Sequence, residues 1–257
     1  MLLKERGDKH FLLEVAYLSL SAAKRVRGDR NTAVARVRCE ICGIAWVYQR
    51  VGQLAKAQAA AAVARELAET IGSDANVAYA EKCSGRLARV QAEGLSGHER
   101  FDKLAASTGH LHRAIDAFEA DHDYGPRHPE VGDCYSLLAR THLVAKDLSA
   151  CESAITSGFE ILSASDGKDY IDALILRAEL FETRSRFDDA RLRLDDAVSL
   201  TAGGGREMSE ARARALLARG RLIRRSGGDA RDAVDDFRAA DEIWTKLDEP
   251  ELAAGAR

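Results

Sequence analysis

Three pairs of small residues, each separated by twelve positions, constrain this chain more than any other feature: Ala45 and Ala57, Ala139 and Cys151, Ala178 and Ala190. Each pair sits inside segments whose apolar residues recur at helical spacing. Ala45-Trp-Val-Tyr48 and Gly52-Gln-Leu54 lead into Ala57, Ala61 and Ala64, while Ala178 and Phe181 lead into Phe187, Ala190, Leu194 and Ala197. Two helices whose axes approach to roughly 8–10 Å need small side chains where they cross and larger apolar ones beside them. A helix–turn–helix unit that returns every few tens of residues predicts stacked helical hairpins, each packed mainly on its neighbours.

The rest of the sequence agrees with an all-α chain. Hydrophobic residues make up 46% but aromatic ones only 6%, and Pro126, Pro129 and Pro250 all fall between periodic segments. The spacing predicts about eleven helices, near 9–27, 33–50, 54–70 and 75–92, one carrying Ala114 and Phe118, then 129–145, 148–164, 169–185, 188–200, 207–226 and 229–247. Gly85 marks a crossing whose partner, Ala114, comes 29 residues later. The residues between include a segment at 93–107 read as an inserted loop, with room for a short helix or an extension of the following one. Asp121–Pro129 reads as a long linker. Glu251–Arg257 reads as the opening of a further helix, so the chain is expected to be a piece of a longer protein with an apolar edge at Phe237, Ile243 and Trp244.

The order small–aromatic–Gly–apolar–small resembles the tetratricopeptide repeat (TPR) family over about 33–247. The second-helix markers Ala57, Ala114, Cys151, Ala190 and Ala233 lie further apart than that family's repeat length. The phrase at 239–254, AADEIWTKLDEPELAA, also resembles arrays found in large bacterial nucleotide-switch regulators. The resemblance implies one right-handed α-solenoid over 1–257 that binds a protein or peptide. It implies further that the first helix of each pair lines a concave groove. Ligand-facing positions then fall on Cys39, Cys42, Trp46, Gln49 and Arg50; on Tyr79, Lys82, Arg86 and Arg89; and on Asp133, Ser136 and Arg140. Later pairs place Asp172, Glu179 and Glu182, then Arg214, Arg221, Arg224 and Arg225, in the same register.

The candidate partner-binding residues are therefore Arg50, Tyr79, Lys82, Arg86, Arg89, Arg140, Arg221 and Arg224. A guanidinium is a planar two-pronged donor, so a groove lined by several prefers a protein or peptide with an acidic segment. The alternative, that these arginines are solvated or paired with Asp and Glu of neighbouring helices, stays open at this point.

Other chemistries find little in the residues. Gly203–Arg206 lacks both the GxxxxGK[ST] frame and a preceding strand. His110, His112, His122 and His128 gather near Asp121 and Asp123, but His110 and His112 point to different sides of a helix. Five cysteines, including Cys39 and Cys42, read as reduced packing thiols. No enzyme, cofactor or metal site is expected. A net charge of −3 argues against a general nucleic-acid binder. Neither an apolar run of 18 residues nor a leader is visible, which predicts a cytoplasmic protein without a membrane segment and leaves oligomeric state open. The leading reading is a protein- or peptide-binding scaffold or sensor of a larger bacterial regulatory protein. The alternative is a peptide- or nucleic-acid-responsive transcriptional or signalling regulator.

Overall fold

A computed structural model describes Ala45, Tyr48, Gln49, residues 52–162 and residues 167–247. Among these residues the structure is helical and contains no strand: α1 (Leu54–Ile71), α2 (Asp74–Glu93), α3 (Gly97–Ala120), α4 (Pro129–Ala145), α5 (Leu148–Leu162), α6 (Lys168–Thr183), α7 (Phe187–Leu200), α8 (Arg206–Ser226) and α9 (Ala230–Lys246). Nine helices among the described residues stand against about eleven expected. The segment 9–27 and all of 33–50 except Ala45, Tyr48 and Gln49 lie outside the described residues. The described residues form two compact units, one running to Asp147 and one starting at Leu148.

Local chemistry sets the helix ends. His128 lies extended before α4 and its Nδ1 accepts from the amide of Glu130 at 3.2 Å, with Pro129 in the first turn where no amide is needed. The Asp229 carboxylate caps α9 by accepting from the Arg231 amide at 2.8 Å. The segment 93–107 is mostly not a loop. From Gly97 it is the first half of the 24-residue helix α3, because Leu104, Ser107, Leu111, Ala114, Ile115 and Phe118 continue one buried helical stripe without a break. Residues 121–128 form the turns that lead into α4.

In the first unit, an alanine-rich cluster of Ala45, Ala57, Ala61, Ala64 and Ala68 packs with Ala80, Cys83 and Leu87. The α2–α3 crossing centres on Gly85. A Cβ there would lie 2.7 Å from Leu111 Cγ and 3.2 Å from the Ser107 carbonyl oxygen. The partner of Gly85 is therefore Ser107 with Leu111, not Ala114.

In the second unit, Ala178, Ala190 and Ala197 are buried in a core with Phe181, Leu194, Leu216 and Trp244. Ala139 and Cys151, which the sequence reading pairs, belong to different units and are each fully buried. Gly220 repeats the device of Gly85, since a Cβ on it would meet the Phe237 ring at 2.6 Å. Trp244 is 1% exposed, so the expected apolar edge at Phe237, Ile243 and Trp244 does not include it. Arg219 ties three helices of this unit together. Its Nε and Nη2 grip both oxygens of Asp236 on α9 at 2.8 and 2.6 Å, and its Nη1 reaches Asp195 on α7 at 2.7 Å.

Candidate binding surface

Tyr79, Lys82, Arg86 and Arg89 succeed one another at intervals of three and four along α2, which puts all four on one face of that helix. The N-terminal half of α4 lies beside the start of this row. Lys82 Nζ lies 2.5 Å from Glu130 Oε2 and 2.5 Å from Asp133 Oδ2. Burial alone would lower the pKa of Lys82, but Asp133 and Glu130 together hold it above the ordinary lysine range. The Tyr79 hydroxyl donates to Glu130 Oε1 at 3.0 Å and lies 3.4 Å from the Tyr124 hydroxyl. Its ring meets Phe118 edge-on with centroids 5.0 Å apart. Burial, followed by the Tyr124 contact and the Glu130 charge, pushes the phenol well above its usual value. At this end of the row the cation is already held by two acids.

The row changes character one turn later. Arg89 pairs with Glu93 in the next turn of its own helix. Arg140, on α4, is half-buried and has contacts of its own. Arg86 is half-buried, meets no acid among the described residues, and has its Nε buried with no hydrogen-bond acceptor. Gln49, a candidate position of the preceding pair in the sequence reading, has a buried Oε1 with no donor. Arg50 lies outside the described residues.

The second unit shows the same mixture. Asp172 and Glu182 on α6 face α8, where Arg214 Nη1 contacts Asp172 Oδ1 at 2.9 Å and Arg225 Nη1 contacts Glu182 Oε1 at 2.6 Å. The acids of one candidate set thus compensate part of the basic residues of the next. Arg221 and Arg224 are exposed on α8 and meet no acid among the described residues.

Sequence reasoning missed a buried ionic hub on α2. The Glu81 side chain is 4% exposed, and its Oε2 contacts His110 Nδ1 at 2.7 Å and Arg113 Nε at 2.9 Å, both on α3. Arg65 Nη1 of α1 stands 3.6 Å from Oε1. Burial works to raise the Glu81 pKa, but hydrogen bonding and charge from His110 and Arg113 hold it below the ordinary carboxylate value. Such a hub leaves no local sequence signature, because its partners lie 29 and 32 residues away.

Cys83, Cys134 and Cys151 are buried free thiols. Among the described residues no group of three His, Cys, Asp or Glu side chains is placed to hold a metal. No helix among them is long and apolar enough to cross a membrane.

Hairpins of paired helices with small residues at their crossings define a TPR-like helical-repeat fold, and comparison with solved structures agrees. The chain is similar to BtubC (BKLC) from P. vanneervenii, with TM-score 0.68 at 14% identity, over 93% of this chain and 92% of that one. It is also similar to the apo form of RapI, with TM-score 0.66 at 16% identity, over 95% of this chain and 79% of that one. Human IFIT1, solved as a dimer with PPP-AAAA, matches with TM-score 0.53 at 11% identity, over 97% of this chain and 54% of that one. No family model and no curated protein matches the chain.

Proposed function

We propose that this chain is a non-enzymatic protein- or peptide-binding scaffold or sensor, part of a larger bacterial regulatory protein, that takes an acidic segment of its partner on the first-helix face. With this reading goes a right-handed stacking of the helical repeats within each unit. The observation that carries it is Arg86. Its neighbour Lys82 is held by two carboxylates, whereas Arg86 is a half-buried cation with no acid beside it among the described residues and an unused buried N–H. A buried polar group left without a partner costs about 1–3 kcal/mol, and native proteins keep few of them. An acidic side chain of a partner would supply the missing charge.

The test is a set of immobilised decapeptides, identical except for Glu, Lys or Ser at alternate positions, probed with the purified chain. Selective retention by the Glu peptides supports the reading, and equal retention by all three overturns it. A second reading, a regulator responsive to a nucleic-acid end, draws on Arg86, Arg221 and Arg224, which meet no acid among the described residues, and on the fold similar to that of IFIT1 solved with PPP-AAAA. A 5′-triphosphate tetranucleotide that binds when the Glu peptides do not would favour it.

A further inference from the structure

Arg214 and Arg219 lie five residues apart on α8 and use their guanidinium groups differently. Arg219 presents its Nε–Nη2 edge to Asp236, and each of the two nitrogens meets its own carboxylate oxygen. Arg214 offers only Nη1 to Asp172, whose two oxygens share it at 2.9 and 3.1 Å. The Nε–Nη2 edge of Arg214 is buried and has no acceptor on either nitrogen. That edge is the one that matches a carboxylate prong for prong, as Arg219 demonstrates on the same helix.

Two neighbouring buried donors without acceptors are more costly than one, and the pairing of Nη1 with Asp172 leaves both of them unmet. Arg214 also occupies a ligand-facing position in the repeat register, and its side chain as a whole is 35% exposed. We propose that the Nε–Nη2 edge of Arg214 receives the carboxylate of an Asp or Glu side chain of the partner. Asp172 holds the guanidinium by its other end so that the edge stays oriented. The proposal rests on the reading of the chain as a binder of acidic segments and adds a receiving residue in the second unit. Because both nitrogens are covered, the carboxylate must displace side chains to reach them. Association at this position is therefore slower than simple electrostatic encounter.

The experiment uses the full chain and a fluorescein-labelled hexaglutamate peptide read by anisotropy, with the wild type, Arg214→Lys, Arg214→Gln and Arg86→Gln. Helicity and thermal unfolding of each variant are recorded first. Lys keeps the charge but not the two-pronged edge, so both Arg214 variants are expected to weaken binding by about tenfold or more, equivalent to about 1.4 kcal/mol. Binding by the wild type that falls with Arg86→Gln but not with either Arg214 variant overturns the inference and leaves the general reading standing. Full binding by Arg214→Lys with loss in Arg214→Gln also overturns it, since charge alone would then suffice. A wild type that does not bind hexaglutamate overturns the reading and the inference together. If Arg214→Gln fails to fold, Arg214→Lys alone decides.

Discussion

The Ser107 hydroxyl donates to the Gly85 carbonyl across 2.8 Å and lies 3.0 Å from the Thr141 hydroxyl, so one buried polar cluster links α2, α3 and α4. The missing side chain at Gly85 makes this possible. Two opposed effects meet at that position. Alanine would favour the helix by up to about 1 kcal/mol over glycine. It would also press a methyl to 2.7 Å from Leu111 Cγ and 3.2 Å from a backbone carbonyl, an overpacking worth roughly 1–3 kcal/mol.

The steric term is expected to win, because the obstructing atoms sit close to the backbone rather than at the end of a flexible chain. Gly85→Ala should lose about 1 kcal/mol, seen as a lower urea midpoint. A midpoint that rises would show that α2 and α3 can separate at no cost.

Arg219 and Asp236 offer a sharper stability test in the second unit. The Asp236 side chain is 8% exposed, and Arg219 meets both of its oxygens. Removing one partner of a buried pair costs about 3–5 kcal/mol, mostly from the charge left behind. Arg219 is itself 22% exposed and Asp195 more so, which reduces the figure. Arg219→Met is expected to cost about 2–3 kcal/mol in equilibrium unfolding. Adding Asp236→Leu should recover much of the loss, and a double variant no better than the single one would contradict the pairing.

Glu81 gives a pH dependence with a definite sign. Its folded-state pKa lies below the ordinary 4.5, so the folded chain binds that proton less readily than the unfolded chain. Its contribution is therefore complete above the unfolded value and disappears as pH falls through the lower folded value. Acid unfolding followed by circular dichroism should be less steep in Glu81→Gln than in the wild type below about pH 5, with the stabilities converging in strong acid. Parallel acid limbs would remove Glu81 from the account.

Much of the helical plan is legible in the sequence, because periodicity, turn glycines and small crossing residues are local signals. Ala178 and Ala190 are both buried in one core, as their spacing predicts. Of the two options the sequence leaves at 93–107, a loop or an extension of the following helix, the structure has the extension from Gly97 on, and Gly85 meets Ser107 and Leu111 rather than Ala114. The apolar stripe through Leu104 and Leu111 already marked a helix there. The state of the candidate residues was not legible. Whether Lys82 is available depends on Glu130 and Asp133, 48 and 51 residues away, and whether Arg86 is compensated depends on acids equally distant in the chain, none of which meets it among the described residues. Long-range charge pairing follows the packing of helices against one another, and neither composition nor period encodes it.

The exposed arginines make a separate prediction. Arg221 and Arg224 stand in solvent, where a single ion pair contributes only about 0.2–1 kcal/mol. Reversing either to Glu should leave unfolding unchanged and reduce acidic-peptide affinity by no more than a few-fold at low salt, an effect that vanishes at high salt. A large loss on either reversal would move the main contact to the C-terminal end of α8.

The most direct measurement is titration of a labelled acidic peptide into the wild type and Arg86→Glu, at low and at physiological ionic strength, with helicity checked in parallel. The account predicts that the charge reversal removes most of the affinity at both ionic strengths while the helical signal is kept. It predicts in addition that wild-type association slows as salt is added, since steering between opposite charges is screened. Equal affinity of the two proteins for the acidic peptide, insensitive to salt, would contradict the claim that the first-helix face around Arg86 is the binding surface.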